Sequence, residues 1–268
     1  MKLKKLAAAT LLAVGALGGL GTAHAVPVAL ELSLVIDVSG SVNATEYGLQ
    51  LQGYKNAFLN AAVQSNILSF AGSGGIAVNV VQFAENSLQT IAWTQLDTVA
   101  KITAFANAIG SMARSNTIGT GTDVQDGMIT GLASFNNSFE GTRKVMDVSG
   151  DGHQNIDPAC TVSAPTYSQA CAVVQAQRDA AFAAGVVVNG LAIEDTTYGA
   201  NGLTNWYNAN VRTSNGFVYT ANGFNAFETA VTAKIGREIT GTVPEPATLA
   251  LVGLALAGLG ATARRRRA

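Results

Sequence analysis

The chain has 268 residues, with 16 Lys and Arg against 17 Asp and Glu, so its formal net charge is −1. Without the basic residues near both ends and without Glu245, nine basic and 16 acidic residues remain, which leaves residues 26–242 at about −7. Nucleic-acid binding needs a basic face, so this balance argues against nucleic acid as a partner. The segment between the ends is long enough for one α/β domain with a sizeable core.

The first 25 residues predict a secretory signal peptide. Lysines at positions 2, 4 and 5 give a basic start, an apolar stretch covers residues 6–20, and Ala23-His24-Ala25 ends the segment. This order is typical of a signal that signal peptidase removes after Ala25, and it favours cleavage over a retained membrane anchor. We therefore expect the rest of the chain to be exported.

The next segment combines an apolar run over residues 30–36 with Asp37, Ser39 and Ser41. A run that is rich in β-branched residues and apolar on both faces predicts a central strand of a covered parallel sheet. The polar cluster then falls at the carboxyl end of the strand, where open α/β sheets bind their ligands. One carboxylate and two hydroxyls are hard oxygen ligands, which suit Mg²⁺ better than zinc or copper.

The remaining chain alternates predicted helices and strands. Apolar spacing predicts helices around residues 47–62, 99–109, 123–135, 167–184 and 224–235, and apolar runs predict strands at 76–83, 88–93, 144–149 and 186–193. The 88–93 strand is expected at or near a sheet edge, and residues 194–215 are predicted to be a polar connection. The predicted fold class is therefore α/β, a Rossmann-like, doubly wound, mostly parallel sheet flanked by helices.

Two more polar loops lie where they could meet the first. Thr122 precedes a helix in the loop 115–123, and Asp151 follows a strand in the loop 148–153. With Asp37-Val38-Ser39-Gly40-Ser41, these loops resemble the metal-ion-dependent adhesion site of the von Willebrand factor A domain. The resemblance implies that fold, and a metal site made by Asp37, Ser39, Ser41, Thr122 and Asp151.

In that family the two serines and the threonine contact the metal directly or in one of its states, and the two aspartates commonly act through water. One coordination position is left for a carboxylate of the partner. The expected cofactor is Mg²⁺, with Mn²⁺ or Ca²⁺ as alternatives, because neutral hydroxyls leave the ion much of its positive charge.

The resemblance extends beyond the site. The segments 37–53, 144–152 and 233–239 look like a bacterial family of uncharacterised A-domain proteins. Gly150 departs from common A domains, which have a threonine there. Gly40, Asp123 and Asp147 are candidates to support the metal ligands. Asp147 lies in an apolar strand, and a buried acid needs partners, so it either supports the site or lies at a strand end open to water.

Cys160 and Cys171 are the only cysteines, and both lie in the part predicted to be exported. An oxidising periplasm permits a disulfide between them, which would contribute slightly under ~3 kcal/mol. A metal pair is the alternative, but it lacks histidines, since His24 leaves with the signal and only His153 remains. We therefore predict the disulfide.

The C-terminal segment has three parts: Pro244-Glu245-Pro246, the uncharged residues 247–263, and Arg264-Arg265-Arg266-Arg267. The uncharged part spans roughly 25 Å as a helix, just short of the apolar core of a bilayer. A plain tail anchor would explain it and the arginines, but not the preceding Pro-Glu-Pro. The arrangement resembles the PEP-CTERM sorting signal of Gram-negative bacteria.

That resemblance implies recognition by a membrane exosortase, transient membrane insertion through residues 247–263, and removal of the tail. The product would reside at the cell surface or in the exopolysaccharide matrix. We therefore predict three parts: the signal peptide 1–25, a von Willebrand factor A-like domain 26–242 and the sorting signal 243–268.

The predicted function is metal-dependent binding of an acidic group on a surface protein or polysaccharide, without catalysis. Two alternatives remain: a Mg²⁺-dependent phosphoester hydrolase that uses the same site, and a structural matrix protein with a vestigial site. Other enzyme classes fit poorly, because the sequence has no G-x-x-x-x-G-K-[ST] run and no G-x-S-x-G elbow. A Ser-His-Asp triad would have to use His153, which is expected to be an exposed loop residue beside the metal site.

Overall fold

The computed structural model describes residues 25–160, 169–195, 197 and 199–241. Six strands form one sheet in the order β3-β2-β1-β4-β5-β6. All neighbouring strands are parallel except β2 and β3, which are antiparallel, so β3 is an antiparallel edge strand. The strands are β1 (Val26–Asp37), β2 (Ile76–Phe83), β3 (Ser87–Leu96), β4 (Phe139–Gly150), β5 (Val186–Glu194) and β6 (Val218–Asn222).

Helices cover both faces of this sheet, which confirms the predicted fold class. They are α1 (Ala44–Leu59), α2 (Ala61–Leu68), α3 (Val99–Gly110), α4 (Val124–Ser134), α5 (Ala172–Ala183), α6 (Gly202–Asn210) and α7 (Phe227–Thr240). The first three helices and α7 pack on one face, and α4, α5 and α6 pack on the other.

Strand β1 is central because both of its faces are apolar. Leu32, Leu34 and Ile36 point into the core under α1 and α7, whereas Val35 points into the core under α4. All four side chains are fully buried. Burial of one such side chain stabilises the fold by roughly 1.5–3 kcal/mol. The strand ends at Asp37, so the polar residues after it emerge at the carboxyl edge of the sheet.

Three local predictions differ from the structure. The helix predicted over 47–62 is two helices, because the Asn60 side chain accepts the backbone N–H groups of Ala62 and Val63 and starts α2. The predicted connection 194–215 contains α6, whose apolar side chains Leu203 and Trp206 are fully buried. The helix predicted from residue 167 begins at Ala172, and residues 161–168 lie outside the described part of the chain.

Cys160 and Cys171 form a disulfide, with their Cα atoms 4.7 Å apart. Both side chains are buried in the core under α4, α5 and α6. The bond links the segment that follows Asp151 to the start of α5. It therefore connects the third polar loop to the helical layer.

Candidate metal-binding site

The first polar loop turns back on the end of β1. The Oδ1 atom of Asp37 accepts the backbone N–H of Ser39 at 2.8 Å. This short turn aims the Ser39 and Ser41 hydroxyls at each other, with 3.0 Å between their Oγ atoms. Asp37 and Ser39 are fully buried, whereas Ser41 is exposed. The loop therefore presents one carboxylate and two hydroxyls along a path from the core to the surface.

Asp151 joins this loop from the neighbouring strand. The Ser41 hydroxyl donates to Asp151 Oδ1 at 2.7 Å, across 110 residues of sequence. This contact is possible because β1 and β4 are parallel neighbours, with Ile36 paired to Ser149. Parallel pairing places the residues after both strands at the same edge of the sheet.

Thr122 lies directly before Asp123, the N-cap residue of α4, and is 3% exposed. A Cβ atom added to Gly152 would lie 3.4 Å from Thr122 Oγ1, so this hydroxyl contacts the loop that contains Asp151. On another side, the Gly40 N–H donates to the Thr120 carbonyl at 2.8 Å. The structure thus places Asp37, Ser39, Ser41 and Asp151 close to one another, and it places Thr122 beside Gly152, the residue that follows Asp151.

Asn155 holds Thr122 in place and was not predicted from the sequence. Its Oδ1 atom accepts the Thr122 backbone N–H at 2.8 Å, and its Nδ2 atom donates to Thr122 Oγ1 at 3.3 Å. Donation to Oγ1 leaves the hydroxyl proton and a lone pair of Thr122 for other contacts. An asparagine four residues after Asp151 carries no recognisable signal, because its role depends on the approach of two loops.

Arg114 stabilises the first polar loop, and it too was not predicted from the sequence. Its guanidinium donates to the carbonyls of Val38 (2.6 and 3.1 Å), Ser39 (2.5 Å) and Val42 (2.6 Å). The Ser39 carbonyl also accepts the Val42 N–H at 3.1 Å, so Arg114 reinforces a turn that belongs to no helix or strand. The only sequence signal is a cation just before a polar loop, and that signal is common on protein surfaces.

The electrostatics of the two carboxyl groups fit a bound cation. Burial and the negative charge of Asp151 raise the pKa of Asp37 to about 7, against hydrogen bonds from Ser39 and the charge of Arg114. Burial, with the charges of Glu46 and Asp195, also raises the pKa of Asp151. Two nearby carboxylates that resist ionisation favour a positive charge between them.

The Oδ2 atom of Asp37 is a second feature that fits a bound cation. The atom is buried and has no hydrogen-bond partner among the described residues. An unpaired buried carboxylate oxygen costs free energy, and a cation would offset that cost. The chemistry of the surrounding oxygens, two carboxylates and three hydroxyls, suits Mg²⁺, Mn²⁺ or Ca²⁺.

Gly150 allows this arrangement at the end of β4. A Cβ atom added there would lie 2.6 Å from Asp37 Oδ2 and 2.8 Å from the Tyr207 hydroxyl. The usual threonine could not occupy this position unless Asp37 or Tyr207 moved. Glycine in place of threonine at position 150 therefore leaves room for Tyr207 of α6, which closes this side of the site.

The three residues predicted to support the site have different roles. Gly40 contacts the second loop, as described above, and Asp123 caps α4 by accepting the Asp126 N–H at 3.0 Å. Asp123 also accepts from Gln154 Nε2 at 2.9 Å, which ties α4 to the third loop. Asp147 contacts none of the five predicted ligands directly.

The structure contradicts one of the two expectations for Asp147. Its side chain is 0% exposed, so it does not lie at a strand end open to water. It pairs instead with the buried Lys234 of α7 at 2.5 Å, and Lys234 also pairs with Glu238 at 2.6 Å. The partners that a buried acid needs are therefore supplied by α7, on the face of the sheet that packs against α1.

His153 is also less exposed than the sequence suggests. Its side chain is partly buried, and its ring lies 6.2 Å from the ring of Trp206, measured between centroids. Burial lowers the pKa of His153. The residue therefore lies at the end of the third loop and packs on α6.

A cleft of about 470 Å³ opens beside Ser41 and Asp151. Three more acids line it, namely Glu46, Glu194 and Asp195. The Glu194 carboxylate already has hydrogen-bond partners, because it accepts the backbone N–H groups of Leu203 and Thr204 at the start of α6. The surroundings of the candidate site are thus strongly acidic on this side.

Two findings concern the sequence predictions for metal and membrane. Within the described ranges, no three His, Cys, Asp or Glu side chains gather where they could hold a metal ion, so any ion here would depend on hydroxyl ligands. No helix in the described part of the chain has the length and apolar character needed to cross a bilayer. The predicted signal peptide and the segment 247–263 lie outside the described residues, apart from Ala25.

Solved structures with the same fold come from several sources. A proximal thread matrix protein from the mussel byssus is 17% identical, with a TM-score of 0.53, over 81% of this chain and 48% of its own. The pilus adhesin SpaC from Lactobacillus rhamnosus GG is 17% identical, with a TM-score of 0.54, over 78% and 30%. A von Willebrand factor type A protein from Catenulispora acidiphila is 12% identical, with a TM-score of 0.53, over 80% and 43%.

These similarities establish the von Willebrand factor A fold. The chain spans half or less of the length of each of these proteins. Another structure of the mussel protein has zinc in its MIDAS motif, and it is 19% identical over 79% of this chain and 47% of its own, with a TM-score of 0.50. No curated protein matches the chain.

Two family models match the sequence and together cover most of it. One is a family described as a protein of unknown function, DUF1194, over residues 27–243. The other is the PEP-CTERM protein-sorting motif, over residues 242–267. The chain therefore belongs to the DUF1194 family, a family with the von Willebrand factor A fold, and ends in a PEP-CTERM sorting motif.

Proposed function

We propose that this protein is an exported binding domain that recognises an acidic group of its partner through a bound divalent cation, most suitably Mg²⁺. The observation that carries the proposal is the buried, unpaired Asp37 Oδ2 beside the linked hydroxyls of Ser39 and Ser41. Asp37, Ser39, Ser41, Thr122 and Asp151 would hold the ion. The ion would supply an open coordination position for a carboxylate of the partner.

The sorting motif supports export, because it implies processing by an exosortase and a transient membrane anchor. The structural neighbours that are named as an adhesin and a matrix protein support a role outside the cell. The surface or matrix location and the parts 1–25, 26–242 and 243–268 belong to this proposal.

The acid-lined cleft narrows the choice of partner. Glu46 and Asp195 flank Asp151 closely enough to raise its pKa, so a polyanion that approached from this side would be repelled. A carboxylate accompanied by Lys or Arg side chains would be attracted by the ion and by the cleft. We therefore favour a protein segment of mixed charge over a polyanionic polysaccharide as the partner of this site.

Binding to immobilised peptides tests the proposal. The full chain, purified in a non-ionic detergent, is passed over peptides with a central Asp flanked by Lys, the same Asp flanked by Glu, and Asn flanked by Lys. We expect the first to bind in Mg²⁺ and to be released by a chelator, with no binding by Asp37→Ala. The matched control is Asp179→Ala, because that side chain is 68% exposed on α5. Equal binding in Mg²⁺ and in chelator would reject a metal-dependent site.

A further inference from the structure

A second cavity, of about 420 Å³, opens at the opposite end of the sheet, where β4 and β5 begin and α7 ends. This volume lies within the ~300–1,000 Å³ range that is typical of small-molecule sites. Its lining includes three cations, Arg143, Lys144 and Arg237, beside the ring of Phe217 and the amide of Asn215. The candidate metal site does not use any of these residues.

Arg237 is the best placed of the three cations. Its Cζ atom lies 3.7 Å from the centroid of the Phe217 ring, so the guanidinium is stacked on the ring. Among the described residues, Arg237 forms no salt bridge and its side chain donates no hydrogen bond. Stacking fixes the plane of a guanidinium and leaves its edge N–H groups available for a planar, bidentate acceptor.

The wall that carries Arg237 is itself held in place. Asn189 Oδ1 accepts the Phe217 backbone N–H at 3.0 Å, and Asn189 Nδ2 donates to Glu238 Oε1 at 2.8 Å. Arg143 Nη2 donates to the carbonyls of Glu238 and Ile239 at 2.9 and 2.6 Å, which fastens the end of α7 to β4. The cavity is therefore formed before any ligand arrives, which lowers the entropic cost of binding.

The cavity is also positive in a domain that is negative overall. Its lining includes three of the nine basic residues of the segment 26–242, and the side chains of two of them, Arg143 and Arg237, lie on the face of the sheet that α7 covers. The Lys144 side chain points to the other face of the sheet, because successive residues of β4 alternate, and its Nζ atom lies there 3.7 and 3.8 Å from carboxylate oxygens of Glu31 and Glu140. Glu238 is the one acid in the lining, and its Oε1 atom is paired with the buried ammonium group of Lys234 at 2.6 Å.

We propose that this cavity binds the carboxylate of an acidic sugar, with the edge of the Arg237 guanidinium paired to the carboxylate. The Asn215 amide would serve the ring hydroxyls, and the apolar part of the wall would pack on the C–H face of the ring. The site is separate from the candidate metal site and requires no metal. It would let the domain hold an acidic polysaccharide at the end remote from its acid-lined cleft.

Calorimetric titration of the full chain in non-ionic detergent, with a chelator present, tests this site. The probes are trigalacturonate, neutral galactotriose and inorganic phosphate. We expect trigalacturonate to bind, galactotriose to bind at least tenfold more weakly, and phosphate to compete poorly. Arg237→Gln should weaken trigalacturonate binding by about 10-fold or more, since charge-assisted hydrogen bonds contribute on that scale.

Two further variants complete the test. Arg237→Lys keeps the charge but loses the planar fork, so it should not restore full affinity. Lys101→Gln removes one positive charge from a surface ion pair on α3 and should bind like the wild type. Equal affinity for the acidic and neutral sugars, an unchanged affinity in Arg237→Gln, equal competition by phosphate, or no binding at millimolar sugar would each overturn the proposal. Asp37→Ala should bind the sugar normally, which separates this result from failure of the metal site.

Discussion

Asn155 contacts Thr122 through both ends of its amide, accepting the backbone N–H at 2.8 Å and donating to Oγ1 at 3.3 Å. Because Thr122 is the only proposed ligand from the second loop, its orientation depends on a residue from the third. Groups that orient metal ligands in this way commonly contribute 10- to 100-fold in affinity.

Asn155→Ala is therefore expected to weaken Mn²⁺ binding by about 10- to 100-fold while the protein stays folded. Isothermal titration of the metal into both proteins gives the ratio directly. Asn107→Ala, in an exposed position of α3, is the control and should match the wild type. If Asn155→Ala binds metal as tightly as the wild type, Thr122 does not depend on this contact.

Gly150→Ala should both destabilise the fold and impair the metal site. The new methyl group would lie 2.6 Å from Asp37 Oδ2 and 2.8 Å from the Tyr207 hydroxyl, so one of these residues must move. Overpacking of this kind costs about 1–3 kcal/mol, which urea unfolding measures. Gly236→Ala is a matched control, because a Cβ there would meet no atom within 4 Å and should leave stability equal or higher. Similar unfolding midpoints for the two variants would contradict the predicted contact.

The buried acid Glu238 should make stability depend on pH. Its pKa is about 8 in the fold, against 4.5 for the ordinary side chain, so between these values the folded state keeps a proton that the unfolded state releases. This contribution to stability is therefore complete below pH 4.5 and is lost as the pH rises towards 8. Asp147 and Lys234 face the same carboxyl group and remain in Glu238→Gln.

We expect Glu238→Gln to lose less stability than the wild type between pH 4.5 and 8, with the difference concentrated in that window. Urea unfolding at several pH values measures it. Glu140→Gln, whose side chain is 70% exposed, should follow the wild-type curve. Parallel curves for wild type and Glu238→Gln would show that Glu238 titrates normally in the fold.

Removal of the disulfide by the double change Cys160→Ala and Cys171→Ala should lower the free energy of unfolding. The bond closes a short loop, with a sequence separation of 11, so the expected loss is up to about 3 kcal/mol. Unfolding in urea, with and without reductant, measures it. Reductant should shift the wild type towards the double variant and leave the variant unchanged. A wild type that reductant does not affect, although the bond is broken, would contradict this expectation.

The strand β1 and the loop after it could be predicted because a run that is apolar on both faces allows few alternatives. The same holds for Asp151, which follows the apolar part of β4. Helix α6 could not be predicted, because Asn and Thr residues surround its buried Leu203 and Trp206. The composition of that segment is typical of a loop, and only packing against β5 and β6 makes it helical.

The residues of the candidate site that could not be predicted from the sequence act through tertiary contacts. Arg114 contacts carbonyl groups more than 70 residues away in the chain, and Asn155 acts on a loop 33 residues before it. Neither position belongs to a periodic pattern or a local motif. Asp147 was noticed as an acid in an apolar strand, but its partner Lys234 could not be paired with it without the position of α7.

The central claim is that Asp37, Thr122 and their neighbours bind a divalent cation, and metal-dependent stability tests it most directly. Mg²⁺ and Mn²⁺ are titrated into the full chain in non-ionic detergent, and unfolding is followed for wild type, Asp37→Ala, Thr122→Ala and the control Asp179→Ala. Linkage predicts a stabilisation of about 2.7 kcal/mol at a hundred-fold excess over the Kd for wild type and control, and none for the other two. Wild type that is not stabilised at millimolar metal, or is stabilised no more than Asp37→Ala, would contradict the claim.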